Sequence, residues 1–288
     1  MDLKTFNQLD TSDALAVLQK CCGSRTWCEF MDSQRPFEED ERLYAAALHA
    51  WYARCHRQDW IEAFSHHPKI GDLESLEQRF GASADLAENE QGQVRSAPRE
   101  VLEALAEANE VYEEKFGYIF IVCATGKSAL EMLLLISERL DNHPDDEIRV
   151  AMGEQAKITA LRLAKQLRHD VRQVMGRSQI TTHVLDTARG TPAAGVPVSL
   201  HQHQDGRWPL LTQGVTDTDG RIEDLLPSGQ IVQPGPYQLV FKTQAYFERH
   251  EQESFYPLVQ IRFLISDGRH YHVPLLMNPF GYTTYRGS

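Results

Sequence analysis

The sequence predicts two domains of different class, an all-α helical N-terminal domain and an all-β sandwich C-terminal domain. Three observations carry this. Over residues 1–167 Pro and Gly are sparse, and apolar residues recur three and four apart, which is helical spacing. From Gln179 to Ser288 the apolar period becomes two, in short runs separated by Gly, Pro and Asp turns, which is the texture of a β-sandwich. Between them, residues 168–178 (RHDVRQVMGRS) are polar, basic and carry Gly176, and read as a linker. The 288 residues accommodate two domains at roughly 100–200 residues each.

In the first domain, Asp10, Thr11 and Ser12 offer a helix cap ahead of Leu15, Val17 and Leu18. Arg35-Pro36-Phe37 marks a break, and the Ala-rich run 43–51 favours a helix. Leu102, Leu105, Asn109, Tyr112 and Phe116 form one helical stripe, ended by Gly117. Residues 130–140 are helical, Asn142-His143-Pro144 makes a turn, and 148–167 form the last long helix. In the second domain Ile180, Thr182 and Val184 alternate with Thr181, His183 and Leu185. Runs at 196–200, 237–241 and 259–265 repeat the pattern, with turns at Gly190-Thr191-Pro192, Asp217-Thr218-Asp219-Gly220 and Asp267-Gly268. At the end, Tyr271, Val273 and Leu275 alternate with His272, Pro274 and Leu276, so one face packs while His272 points away.

The net charge of -12 argues against nucleic acid and anionic membranes as partners. The five cysteines, an odd number with no CxxC, read as reduced thiols of a cytoplasmic protein. The N-terminus has no apolar signal core. Nor does any apolar run approach a membrane span.

Chemistry-bearing residues concentrate at two places. In the sandwich they are Thr182-His183-Val184-Leu185-Asp186, Asp219-Gly220-Arg221, His272 in HVPLL, and the tail Tyr285-Arg286-Gly287-Ser288. Together with Arg189-Gly190, Pro192 and Phe255-Tyr256-Pro257, these resemble 5-hydroxyisourate hydrolase, the enzyme branch of the transthyretin family. The resemblance implies hydrolytic opening of 5-hydroxyisourate, a urate-like anion with a strained, electron-poor ring amide. Histidine titrates near working pH, so His183 or His272 fits the base that activates water. Arg221 and Arg286 remain cationic and suit a clamp on the anion. Tyr285 and Ser288 would line the site.

In the helical half the sharpest stretch is His66-His67-Pro68-Lys69-Ile70-Gly71-Asp72. Pro68 restricts His67 to extended geometry, and Gly71 permits a tight turn. This stretch, Asn89-Glu90-Gln91, the run 115–124 (KFGYIFIVCA) and 154–163 (EQAKITALRL) resemble the 2-oxo-4-hydroxy-4-carboxy-5-ureidoimidazoline (OHCU) decarboxylases. The resemblance implies cofactor-free decarboxylation of OHCU to (S)-allantoin. His67 would handle the proton and Glu90 hold the ureido group. Arg162, Pro68, Ile119 and Phe120 would bind substrate. Ala87 stands where the family often has serine, and Gly92-Gln93-Val94 departs from its usual order, so Glu88 competes with Glu90 for that role.

The two reactions are consecutive, and their fusion predicts a bifunctional enzyme of urate breakdown. Its partners would be its small-molecule substrates and copies of itself, as a homotetramer through the sandwich. No cofactor is implied. No metal is implied either: His201-Gln202-His203 could share a strand face, but no third ligand is evident.

Overall fold

The structure is a computed structural model that describes residues 1–67, 98–170 and 177–287. The first part is helical: α1 Leu3–Asn7, α2 Thr11–Gln19, α3 Arg25–Ser33, α4 Asp40–His49, α5 Arg57–Ser65, α6 Arg99–Phe116, α7 Ala129–Leu140 and α8 Pro144–Leu167. Side chains cap these helices where the sequence offers them. Asp10 accepts from the Asp13 amide at the start of α2, and Ser128 pairs with Glu131 in a reciprocal box at the start of α7. α4 runs on into a wider turn, with the Cys55 amide donating back to the Ala50 carbonyl at 3.0 Å. The α6 stripe is buried from Leu102 to Phe116, and the helix ends on Gly117 at φ 77°. α8 starts four residues before the expected 148, because Pro144 sits in its first turn beside three acidic residues.

A buried polar knot ties α6, α7 and α8 together. Arg139 donates to Glu147 at 2.5 Å and to the Ile121 carbonyl at 2.7 Å, and the Tyr112 hydroxyl also donates to Glu147. Arg139 and Glu147 are 1% and 0% exposed, so each charge depends on the other. Arg139→Ala leaves Glu147 buried without its cation. We expect it to cost about 3–5 kcal/mol, read as a lower urea midpoint at unchanged m-value.

The second part is a sandwich. One sheet has the order β4 (Leu210–Val215), β3 (Pro197–Gln202), β6 (Gly235–Phe241), β7 (Val259–Ile265). The other is built around β1 (Ile180–Asp186), in the order β10 (Gly281–Thr284), β9 (Leu275–Asn278), β1, β2 (Thr191–Pro192). β5 (Arg221–Ile222) and β8 (Tyr271–His272) also pair with β1. The core holds Tyr237, Phe241, Tyr246 and Phe247. The last two come from a short helix, α9 (Thr243–Arg249), that the period-two pattern did not announce. The C-terminal alternation is realised as two strands, since Pro274 interrupts the ladder between β8 and β9.

The two parts touch. Val215 of β4 joins the helical core, and Asn142 donates to Gln213 at 2.7 Å. Lys242 lies 2.5 Å from Glu138. Ser178, in the stretch expected as linker, is fully buried, and its hydroxyl accepts from the amides of Ile180 and Leu226.

Candidate active sites

The sandwich site is assembled by strand pairing. On β1, Thr181 and His183 share a face. His183 is opposite Arg221 of β5, and Thr181 is opposite His272 of β8. Arg221 is fixed by the turn before it, where the Asp217 carboxylate accepts from the amides of Asp219 and Arg221 at 2.9 and 2.8 Å. Gly220 in that turn has φ +71°, and a Cβ there would lie 2.4 Å from the Val184 carbonyl.

Thr181 holds two histidines at once, with its hydroxyl 2.9 Å from His272 Nδ1 and 3.0 Å from His270 Nε2. A cavity of about 210 Å³ opens beside them, lined by Arg177, Thr181, Thr182, Arg221, Glu223, His270 and His272. His183 Nε2 is buried without a hydrogen-bond partner, an uncommon state for a polar ring atom. Burial and the Arg221 cation both push His183 and His272 below the ordinary imidazole range, and His270 and His183 add to the effect on His272. Both rings are therefore neutral at pH 7 and able to accept a proton.

Arg286 and Tyr285 do not line this cavity within the single chain. Both are exposed, and Arg286 stacks 5.3 Å over the Tyr271 ring instead of lining the cavity. The described tail residue that packs against His272 is Gly287. Its amide donates to the His272 carbonyl at 2.9 Å, and a Cβ there would lie 2.4 Å from the His272 ring. Gly287→Ala should displace that ring and slow hydrolysis at least roughly tenfold, leaving decarboxylation unchanged. Initial rates on each substrate check this. Ser288 lies outside the described residues.

The helical site forms where α5 ends against α8. Phe64, fully buried, packs on Tyr118 at 5.2 Å and anchors the end of α5. The chain then turns, with the His67 amide donating to the Phe64 carbonyl at 3.2 Å, and His66 fills the space beside Gly23. His67 Nε2 is 2.6 Å from Gln155 Oε1, and the Gln155 amide donates to the Thr159 hydroxyl at 3.1 Å. Arg162 comes within 3.4 Å of His67 Nδ1. With Nε2–H on the Gln155 carbonyl, Nδ1 is the nitrogen that accepts. Burial, with Arg162 adding to it, lowers the His67 pKa to about 4 although Gln155 opposes them. Ile119 and Phe120 sit on the segment after Gly117, which Arg139 holds through the Ile121 carbonyl; Phe120 is buried and Ile119 half-buried. Pro68, Glu88 and Glu90 lie outside the described residues.

Sequence reasoning singled out Arg162 but not Gln155, seven residues earlier and so two turns away on the same helix face. It also passed over Thr181 and His270, although each lies two residues from a histidine that was chosen. His201 is occupied elsewhere, with its nitrogens 2.9 Å from the Ser199 hydroxyl and 3.1 Å from the Trp208 carbonyl. All five cysteines are free and buried.

A helical domain and a sandwich, each bringing histidine and arginine side chains together, make a two-domain protein with two candidate sites suited to proton transfer. The family model for OHCU decarboxylase matches residues 7–164, and that for the HIUase/Transthyretin family matches residues 180–287. Uric acid degradation bifunctional protein TTL of Arabidopsis thaliana is 33% identical over 93% of this chain and 96% of its own length. The 5-hydroxyisourate hydrolase of Salmonella dublin is 46% identical over 39% of this chain and 83% of its own length. A solved (S)-allantoin synthase aligns over 100% of both chains at 24% identity with a TM-score of 0.46, a likeness too loose to add to these. The chain belongs to the family of bifunctional urate-degradation proteins, joining an OHCU decarboxylase domain to a HIUase/transthyretin domain.

Proposed function

We propose that the sandwich hydrolyses 5-hydroxyisourate to OHCU and that the helical domain decarboxylates OHCU to (S)-allantoin. The observation that carries the first step is the convergence of Arg221, His183 and His272 on one sheet face. One imidazole takes a proton from water, which adds to the ring amide carbonyl. Arg221 stabilises the oxyanion until the C–N bond breaks and the imidazolium returns its proton to the leaving nitrogen. In the second step Arg162 orients the carboxylate. The C–C bond breaks and carbon dioxide leaves, its electron pair passes into the adjacent imine-type nitrogen, and a proton from solvent, relayed by His67 Nδ1, is delivered to one face. Glu90 or Glu88 would hold the ureido group, with Pro68, Ile119 and Phe120 against the ring. Tyr285, Arg286 and Ser288 would reach substrate in an assembly of chains.

Self-association, as a homotetramer, is supported by the apolar side chains the sandwich leaves in water. Phe255, Leu264 and Phe280 are 71%, 66% and 71% exposed. Light scattering on the purified chain tests it. Free buried thiols fit a reducing, cytoplasmic setting. Among the described residues no helix is long and apolar enough to cross a membrane.

The enzymatic reading is tested by following the absorbance of fresh 5-hydroxyisourate, made from urate and urate oxidase, with and without the protein. Faster decay is expected; the buffer rate would overturn the reading. The depressed His67 pKa gives a pH prediction. His67 stays neutral down to about pH 4, so its acid limb in decarboxylation should lie near there instead of near 6.5. For stability the sign is that an unfolded chain protonates this histidine first. Stability is complete above about pH 6.5 and falls as pH drops from there toward 4. Rates and urea midpoints measured between those pH values check both.

A further inference from the structure

The helical domain buries charges that it does not balance by itself. On α8, Lys157 lies 2.6 Å from Glu154, and both side chains are almost fully buried. Lys127, just before α7, is also largely buried and draws on the same carboxylate. Among these three groups two cations face one anion. The fourth member comes from the sandwich: Asp224 Oδ2 lies 3.3 Å from Lys127 Nζ and 3.6 Å from Lys157 Nζ. With it the cluster is neutral. The Lys157 cation holds the Asp224 carboxyl far below its usual range although partial burial opposes it. Burial disfavours the charge on Lys157, yet Asp224 and Glu154 together raise its pKa. A buried cation left without its counter-ion is strongly unfavourable, so this geometry is held.

What the cluster touches gives it a function. The second oxygen of Glu154 accepts the Cys123 amide at 2.7 Å, anchoring the far end of the segment that carries Ile119 and Phe120. Gln155, the next residue on α8, holds His67, and Arg162 lies further along the same helix. On the other side Asp224 follows Arg221 by three residues, just beyond β5. We infer that Asp224 of the hydrolase domain is a positioning residue for the decarboxylase site, acting through Lys157 and Glu154 on the 117–123 segment and on α8. This rests on the proposed function and adds to it a residue in one domain that serves the chemistry of the other.

The test uses the full-length chain and its Asp224→Asn and Asp224→Glu variants. Hydrolysis is read by 5-hydroxyisourate absorbance, and decarboxylation by steady-state kinetics on OHCU generated beforehand. For Asp224→Asn we expect hydrolysis within twofold of the parent and kcat/KM for OHCU lower by roughly tenfold to a hundredfold. Much of that loss should appear as a higher KM, since the binding segment loses its anchor. Asp224→Glu, which restores the charge, should recover most of the loss. If Asp224→Asn does not fold, the double variant Asp224→Ala, Lys157→Met removes one charge of each sign and reports in its place. Parental decarboxylation by folded Asp224→Asn, or by the double variant in its place, overturns the inference and makes the cluster a structural joint only. A parent that consumes 5-hydroxyisourate but does not accelerate OHCU loss overturns the decarboxylase reading, and the inference falls with it.

Discussion

Substituting His67 with alanine should slow OHCU loss by roughly 10²–10⁴-fold, leave 5-hydroxyisourate consumption at the parental rate, and turn the allantoin produced racemic. The separation follows from where the residue sits. His67 is held between Gln155 and Arg162 at the end of α5, in the helical domain, and has no part in the β1 face. The loss of handedness follows from chemistry. Without the enzyme's proton handling, OHCU decarboxylates in solution, where both faces of the new centre are open. Chiral chromatography of the product and a progress curve for each intermediate check the two halves of this result. If His67→Ala still yields a single enantiomer at the parental rate, His67 is not the proton-handling group.

The second large effect is at Arg221. Arg221→Met should reduce hydrolysis by roughly 10²–10³-fold while decarboxylation of supplied OHCU continues. A further consequence separates loss of the clamp from general damage. The Arg221 cation lowers the pKa of both His183 and His272, so its removal should raise both. The acid limb of the residual hydrolysis then moves to higher pH. Imidazole titration by NMR reads the same shift directly. A variant with unchanged histidine titrations would mean that Arg221 does not face these rings in solution.

The fold was legible where periodicity is strong. The Leu102 to Phe116 stripe and the alternation over Val259–Ile265 each gave their element, because one face of each is buried by apolar side chains. α9 was not legible, since its seven residues, with polar ends, are too few to display a helical period between two strands. Of the residues that the structure brings together at the two candidate sites, those singled out in the sequence are ones whose type has few bland uses: His67, His183, Arg221 and His272. The residues that orient them were harder to see. Gln155 and Thr181 are ordinary helix and strand residues until a ring nitrogen comes within hydrogen-bond reach. The Asp224 bridge was beyond sequence reasoning altogether. It depends on how one domain seats against the other, and spacing along a chain contains nothing about that.

The central claim is that each domain holds one converged site and that the two act in series. Time-resolved circular dichroism at the allantoin band, started with fresh 5-hydroxyisourate and the intact chain, tests it most directly. The account predicts a signal of one sign that grows to full optical purity faster than the intermediates decay alone. Allantoin that accumulates at the rate of buffer and shows no dichroism would contradict it.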